Sequence, residues 1–246
     1  MGSNNCLIPY HLKKDIGSEI MYYIDMRFYI SDLHFYHEAL LDHLDHRPFK
    51  SVEEMNEYMV ERWNSKVKRS DEVFVLGDIS QGNVENSIKI LNRLNGKLSL
   101  MIGNHDSFAQ KSKFLTTSTR FRKISHYTEI SDNNRKVILS HYPIMFYNGQ
   151  FSQNSNGEYN TYMLYGHVHN SFDELLINKF IAEAENYKRE IKSGFFVPTP
   201  FQMINVFCMF SDYQPLTLDE WIALDRERRK KIRENLDALL STPHAL

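Results

Sequence analysis

Short apolar runs in this chain repeatedly stop at turns crowded with acidic, imidazole or amide side chains, and that repetition constrains the fold more than any bulk property. Arg27 to Ser31 leads into Asp32-Leu33-His34, and Glu72 to Leu76 leads into Gly77-Asp78. Leu98 to Ile102 runs into Gly103-Asn104-His105-Asp106, Val137 to Ser140 into His141, and Tyr162 to Tyr165 into Gly166-His167-Val168-His169. These runs are rich in β-branched and aromatic residues and read as strands. Sheets of this kind place their sites at the C-terminal strand ends, so the turns are expected to meet in one place.

Helices with readable starts lie between the strands. Ser51-Val52-Glu53-Glu54 is a capping box, followed by Met55, Met59 and Trp63 at helical spacing. Asn83 caps a second helix carrying Ile88, Leu91 and Leu94, and Thr217-Leu218-Asp219-Glu220 opens a terminal helix with Trp221, Ile232 and Leu236. Alternating strands and helices argue for a layered α/β domain. The chain of 246 residues, 42% hydrophobic and 24% charged, suits one domain. Its expected parts are an N-terminal extension over 1–26, an insertion over 171–200 and a C-terminal helix over 217–240. Asn148 to Asn160, rich in Asn, Ser and Gly, reads as a loop, and Ser171 to Lys192 has helical character.

Bulk properties narrow the class. A net charge of -2 exerts no general pull on anionic partners, so attraction for phosphate must be local. Cys6 and Cys208 form no CxxC pair, which suits a reducing cytoplasm. Charged residues interrupt the first 26 positions, so no signal peptide is read, and no apolar run has membrane-spanning length. The expectation is a cytoplasmic protein without a membrane partner; its oligomeric state is not legible.

Two divalent ions about 3.5–4 Å apart can bind and neutralise a phosphate. Such a pair needs a shared carboxylate with imidazole and oxygen donors around it. Asp32, His34, Asp78, Asn104, His141, His167 and His169 are all of suitable type. None is a soft thiolate, so two ions drawn from Mn, Fe, Zn, Co or Ni suit the set without further choice among them.

In that order the motifs Asp32-x-His34, Gly77-Asp78, Gly103-Asn104-His105-Asp106, His141 and Gly166-His167-x-His169 resemble those of the calcineurin-like metallophosphoesterases. The ordered set is far more specific than any one motif. The resemblance implies a four-layer α/β sandwich, with two mixed β-sheets packed face to face and flanked by helices. It also implies a phosphoric ester hydrolase with Asp32, His34, Asp78 and His169 on the first metal. Asp78 would bridge to a second metal held by Asn104, His141 and His167. A hydroxide between the ions would attack phosphorus, His105 would protonate the leaving oxygen, and Asp106 would orient His105.

Phe35-x-His37, Arg47-Pro48-Phe49, Trp63-Asn64, Asn205-Val206 and Tyr213-x-Pro215-Leu216 further resemble a small bacterial and phage-associated branch of that superfamily. His37 and Arg47 are candidates for binding phosphate oxygens. The turn after Asp78 lacks the tyrosine of purple acid phosphatases and the Asp-Arg-Gly run of the Ser/Thr protein phosphatases, which disfavours both assignments.

The leading expectation is hydrolysis of a phosphodiester or phosphomonoester of a small soluble compound, for example a nucleotide. A nuclease acting on DNA or RNA is the alternative, and a non-catalytic scaffold on the same fold ranks last because no ligand is missing. The basic run Arg226 to Arg233 reads as a solvated helix face rather than a nucleic-acid site. Tyr142, Phe146, Tyr147, Phe151, Tyr159, Tyr162 and Tyr165 are read as packing residues that in part could stack on a base. His11, His43, His46, His126 and His244 are read as ordinary histidines.

Overall fold

The computed structural model describes residues 25–111 and 120–241, so Cys6, His11, His244 and the extension up to residue 24 lie outside the described residues. Strands β1 (Arg27–Ile30), β2 (Glu72–Val75), β3 (Lys97–Met101) and β4 (Phe121–Ser125) form one sheet in that order, parallel throughout. A second, mixed sheet contains β5 (Tyr127–Asp132), β6 (Arg135–Ser140), β7 (Thr161–Tyr165) and β10 (Met203–Asn205) in the order β10-β7-β6-β5. Only the β5–β6 pair is antiparallel. Asn133 (φ 47°) and Asn134 (φ 62°) make its turn, as a two-residue hairpin loop requires left-handed residues.

Alternation along each strand explains the layers. Phe28, Ile30, Val73, Val75, Leu98 and Leu100 point outward from the first sheet, onto helices α2 (Val52–Lys66) and α3 (Val84–Leu91), which follow the short helix α1 (Ala39–Asp42). Tyr29, Phe74 and Met101 point the other way and meet Val137, Leu139, Leu164 and Ile204 between the sheets. Ile138, Met163 and Met203 leave the second sheet's far face and pack with Ile181 of α4 (Phe172–Ala184). Leu218 and Trp221 of α5 (Leu218–Ser241) close one side of the middle layer, and the Trp221 indole donates to the Tyr29 carbonyl at 2.8 Å. The result is the expected four-layer arrangement, with one sheet wholly parallel.

The caps lie where the sequence places them. Ser51 Oγ accepts from the Glu54 amide at 3.2 Å and Asn83 Oδ1 from the Asn86 amide at 2.9 Å. At α5 the box is reciprocal: the Thr217 amide donates to Glu220 Oε2 at 2.8 Å, and the Glu220 amide donates to Thr217 Oγ1 at 3.4 Å. The segment 171–192 departs from expectation. Its helix stops at Ala184, and Lys188–Lys192 is instead strand β8, paired antiparallel with β9 (Phe195–Pro198) in a separate two-stranded ribbon. Among the described residues, no helix is long and apolar enough to cross a membrane.

Candidate metal centre

The five turns do converge, and in three of them the backbone is strained to do so. Asp32 (φ 55°), His34 (φ 51°), Asp78 (φ 52°), His167 (φ 72°) and His169 (φ 49°) all hold left-handed conformations. For a non-glycine residue each costs about 1–3 kcal/mol, a pattern found where structure is shaped for function. Two glycines are required by close approach rather than by φ. A Cβ on Gly103 would sit 2.2 Å from Asp78 Oδ1, and one on Gly166 would sit 2.4 Å from Asp32 Oδ2. These motif glycines leave room for the two carboxylates.

Backbone amides aim those carboxylates. The His167 N–H donates to Asp32 Oδ1 at 3.0 Å and the His105 N–H to Asp78 Oδ1 at 2.8 Å. Asp78 Oδ2 then lies 3.6 Å from His34 Nε2 and 3.5 Å from His141 Nε2. Asp32 Oδ1 lies 3.7 Å from His169 Nε2 and 3.9 Å from His141 Nδ1. Asn104 Oδ1 sits between His141 Nε2 at 2.9 Å and His167 Nδ1 at 3.0 Å. Two sets of donors follow, Asp32-His34-His169 and Asp32-Asp78-His141, each close enough to share one ion.

The donors fit a cation and fit little else. Asp32 and Asp78 are 0% and 2% exposed, and among the described residues no lysine or arginine pairs with either. Buried carboxylates without a counter-charge are costly. Burial pushes the Asp32 carboxyl up, against the lowering pull of His169 and His141. His34 Nε2 and His169 Nε2 face each other at 3.2 Å. Burial holds His34 well below the ordinary imidazole value, so it is neutral. With the His169 Nδ1–H given to Asp45 and the His141 Nδ1–H given to the Leu76 carbonyl, both Nε2 atoms keep free lone pairs. Converging lone pairs and unpaired carboxylates of mixed N and O type suit divalent transition ions.

A second tier of charged residues corrects two sequence expectations. Arg47 is not a phosphate binder: it is 1% exposed and faces inward. Its Nη1 donates to the Leu33 carbonyl at 2.6 Å, its Nη2 to the Asp32 carbonyl at 2.9 Å, and its Nε to Asp45 Oδ2 at 3.0 Å. Asp106 does not orient His105. Its carboxylate accepts the amides of Asp78 at 2.8 Å, Ile79 at 2.9 Å and Gly103 at 2.8 Å, tying two turns together. Burial pushes Asp106 up to about 6 despite those donors.

Asp45 was not singled out from the sequence. Its Oδ1 accepts from His169 Nδ1 at 2.7 Å while Arg47 holds the other oxygen, a carboxylate–histidine arrangement that fixes a metal-ligating ring. Burial depresses the His169 imidazole, but Asp45 and Asp32 more than reverse this, and its pKa is raised. Nothing in the spacing marks Asp45, since 124 residues separate it from its partner.

At the mouth, His105 and His37 flank His34, with ring centroids 5.2 Å from it in both cases. His37 is half-buried with Nδ1 3.4 Å from His34 Nδ1, and burial lowers its pKa. The Gln81 side-chain amide contacts His105 Nδ1, another partner the sequence did not reveal. Exposed Tyr142 packs edge-on against His141 and His167, with centroids 5.0 and 4.6 Å away. Of the other aromatics, Tyr147 and Tyr165 are buried in the far core and Phe146 is exposed. His43, His46 and His126 are exposed. Cys208 is buried, which pushes its thiol up to about 12.

The basic run on α5 divides. Arg226, Lys230 and Lys231 face solvent, whereas Arg229 bonds Asp225 at 2.7 Å and Arg228 lies over the Phe210 ring at 3.2 Å. Its inner arginines are therefore packing residues, and the run is not a continuous charged face.

Comparison with known proteins agrees with this geometry. A model of the calcineurin-like phosphoesterase superfamily domain matches residues 26–178. An uncharacterized protein of Methanocaldococcus jannaschii is 31% identical over 207 residues, covering 83% of this chain and 93% of that protein. The Gene 66 protein of Mycobacterium phage L5 is 28% identical over 132 residues, 47% of this chain and 62% of its own length. The crystal structure of a protein of unknown function from Aquifex aeolicus shares the fold, with a TM-score of 0.53 and 24% identity over 80% of this chain and 97% of that one.

Proposed function

The chain belongs to the calcineurin-like phosphoesterase superfamily, and from that premise we propose that it hydrolyses a phosphodiester or phosphomonoester at a centre holding two divalent cations. What carries the reading is the pair of buried carboxylates, Asp32 and Asp78, ringed by imidazole nitrogens and unpaired with any lysine or arginine among the described residues. Asp32, His34 and His169 would hold one ion, and Asn104, His141 and His167 the other. Asp78 would reach both, because its Oδ2 faces His34 on one side and His141 on the other.

When bound, such ions neutralise phosphate charge and lower the pKa of water far enough to supply a nucleophile at neutral pH. The protein's own groups do the rest. The Gln81 side-chain amide contacts His105 Nδ1 and steadies the ring at the mouth of the centre. His105 would protonate the leaving alkoxide, and half-buried His37, with its ring beside that of His105, would bind a phosphate oxygen. Asp106 and Arg47 act only through the backbone turns they hold.

Bis-p-nitrophenyl phosphate and p-nitrophenyl phosphate, offered with Mn, Fe, Zn, Co or Ni in turn, test the proposal. Metal-dependent turnover of one or both, lost in Asp78→Ala, is expected. No turnover with any metal overturns it.

A further inference from the structure

Among the described residues the β8–β9 ribbon is the least covered segment, with every residue from 186 to 196 exposed. A two-stranded ribbon is marginal by itself, yet this one turns its largest apolar side chains to solvent. Tyr187, Phe195 and Phe196 are 74%, 59% and 56% exposed. Lys188, Arg189 and Lys192 stand among them, with Lys192 paired across the ribbon with Phe195. The ribbon's carboxylate, Glu190, is turned onto its own loop, accepting the Gly194 amide at 2.7 Å. Neither Lys188 nor Lys192 has an ion-pair partner among the described residues.

A groove joins this surface to the loop that leaves His141. Arg189 lies over the Phe151 ring at 4.8 Å and lines one groove with it and exposed Phe146. Three residues, a span of at most about 14 Å of chain, separate Phe146 from Tyr142, whose exposed ring abuts His141 and His167. Cations interleaved with open aromatic faces match a strand of phosphates carrying unstacked bases. A duplex would hide those base faces. A second copy fits worse, because a twofold contact over the ribbon would gather both copies' cations in one interface.

The geometry points to a single-stranded polynucleotide as the substrate, gripped by the β8–β9 ribbon and led past Phe146 and Tyr142 to the metal centre. This names the substrate class for the phosphoesterase reading and rests on it for the chemistry, but the grip itself needs no metal. Fluorescence anisotropy in EDTA, with labelled oligothymidylate and oligouridylate, measures that grip and tells DNA from RNA. Alternation sets Arg189 and Lys192 on one face of the ribbon and Lys188 on the other, so two phosphate contacts on a single strand predict a salt exponent of about -1.4, and binding weakens about sevenfold between 50 and 200 mM salt. K188A/R189A/K192A is expected to remove most of that dependence. F195A/F196A, which keeps the charges, is expected to weaken binding at least about fivefold.

Undetectable or salt-independent binding by the wild-type protein overturns the inference, as does wild-type affinity in both variants. So does a wild-type dimer in sedimentation velocity that F195A/F196A dissociates, which would make the ribbon a self-association surface. Wild-type turnover of bis-p-nitrophenyl phosphate separates the two readings. Turnover without oligonucleotide binding sinks only the ribbon's role, and binding without turnover sinks only the hydrolase.

Discussion

Asp45→Asn probes the least visible part of the centre while keeping the shape of the side chain. Asp45 Oδ1 accepts from His169 Nδ1 at 2.7 Å, and Oδ2 takes the Arg47 guanidinium at 2.9 Å. An amide can serve one of these donors but not both. If its NH2 faces Arg47, donor opposes donor around a guanidinium whose side chain is 0% exposed. If it faces His169, the Nδ1–H loses its acceptor, and the ring favours the tautomer that aims Nε2–H at Asp32. Losing one charge-assisted bond costs about 1.5–3 kcal/mol. Stripping a buried charge of its partner costs about 3–5 kcal/mol. Arg47 keeps the Leu33 and Asp32 carbonyls, so the lower part of that range applies. A loss of about 3 kcal/mol lowers the melting temperature by about 6–12 °C for a chain of this size. Metal affinity should fall about 10- to 100-fold, the usual effect of removing such a partner. Thermal melts in EDTA measure the first quantity, and titration of Mn or Zn against a competing chelator measures the second. A variant that melts early but binds metal as the wild type does would refute the claim that Asp45 orients His169 and leave it an anchor for Arg47 alone.

The remaining predictions address other parts of the centre and the fold. Gly103→Ala puts a methyl 2.2 Å from Asp78 Oδ1 and 2.6 Å from the Asp78 amide, so elemental analysis should find less bound metal than in the wild type; full occupancy would contradict the close-approach argument. Adding Mn or Zn to about 100 times its dissociation constant should stabilise the protein by about 2.7 kcal/mol, seen as a raised melting temperature that Asp78→Ala abolishes. His105→Asn should slow diesters with alkyl leaving groups about 10²- to 10⁴-fold and p-nitrophenyl esters much less; equal losses for both would argue against proton donation. Ser51→Ala removes the bond to the Glu54 amide and should cost about 1 kcal/mol in chemical denaturation, with metal content unchanged.

How far the sequence speaks depends on the distance over which each feature acts. Strand ends at Asp32, Asp78, Asn104, His141 and His167 are legible because a β-rich run, a glycine or sharp turn and a ligand lie together in a few residues. Helix starts at Ser51, Asn83 and Thr217 are legible for the same reason. Strands β4 and β5 escape notice because Arg122, Lys123, Tyr127 and Glu129 are exposed, so hydrophobic alternation is weak. The ribbon escapes for a sharper reason: with both faces in solvent, Lys188–Lys192 carries no burial pattern to separate it from the helix before it. Asp45 and Gln81 are silent because their partners, His169 and His105, are 124 and 24 residues away.

Arg47 and Asp106 are the instructive misreadings, because their residue types suggest chemistry and their surroundings assign them to the backbone. Strained left-handed turns leave peptide groups outside any ladder, and buried peptide groups need partners. At the Asp32 turn the groups presented are carbonyls, and a guanidinium, which can only donate, takes those of Asp32 and Leu33. At the Asp78 turn and at Gly103 they are amides, and a carboxylate, which accepts when ionised, takes those of Asp78, Ile79 and Gly103. The sign of each buried side chain thus follows the polarity of the peptide groups it faces. Both stand one layer behind the donors, where they hold the turns without occupying the space of ion or phosphate. Asp45 joins the two layers, since one of its oxygens serves Arg47 and the other serves His169. A charged residue beside a ligand motif therefore divides into two cases, and which applies is decided by whether its polar atoms find peptide groups inside or open space outside.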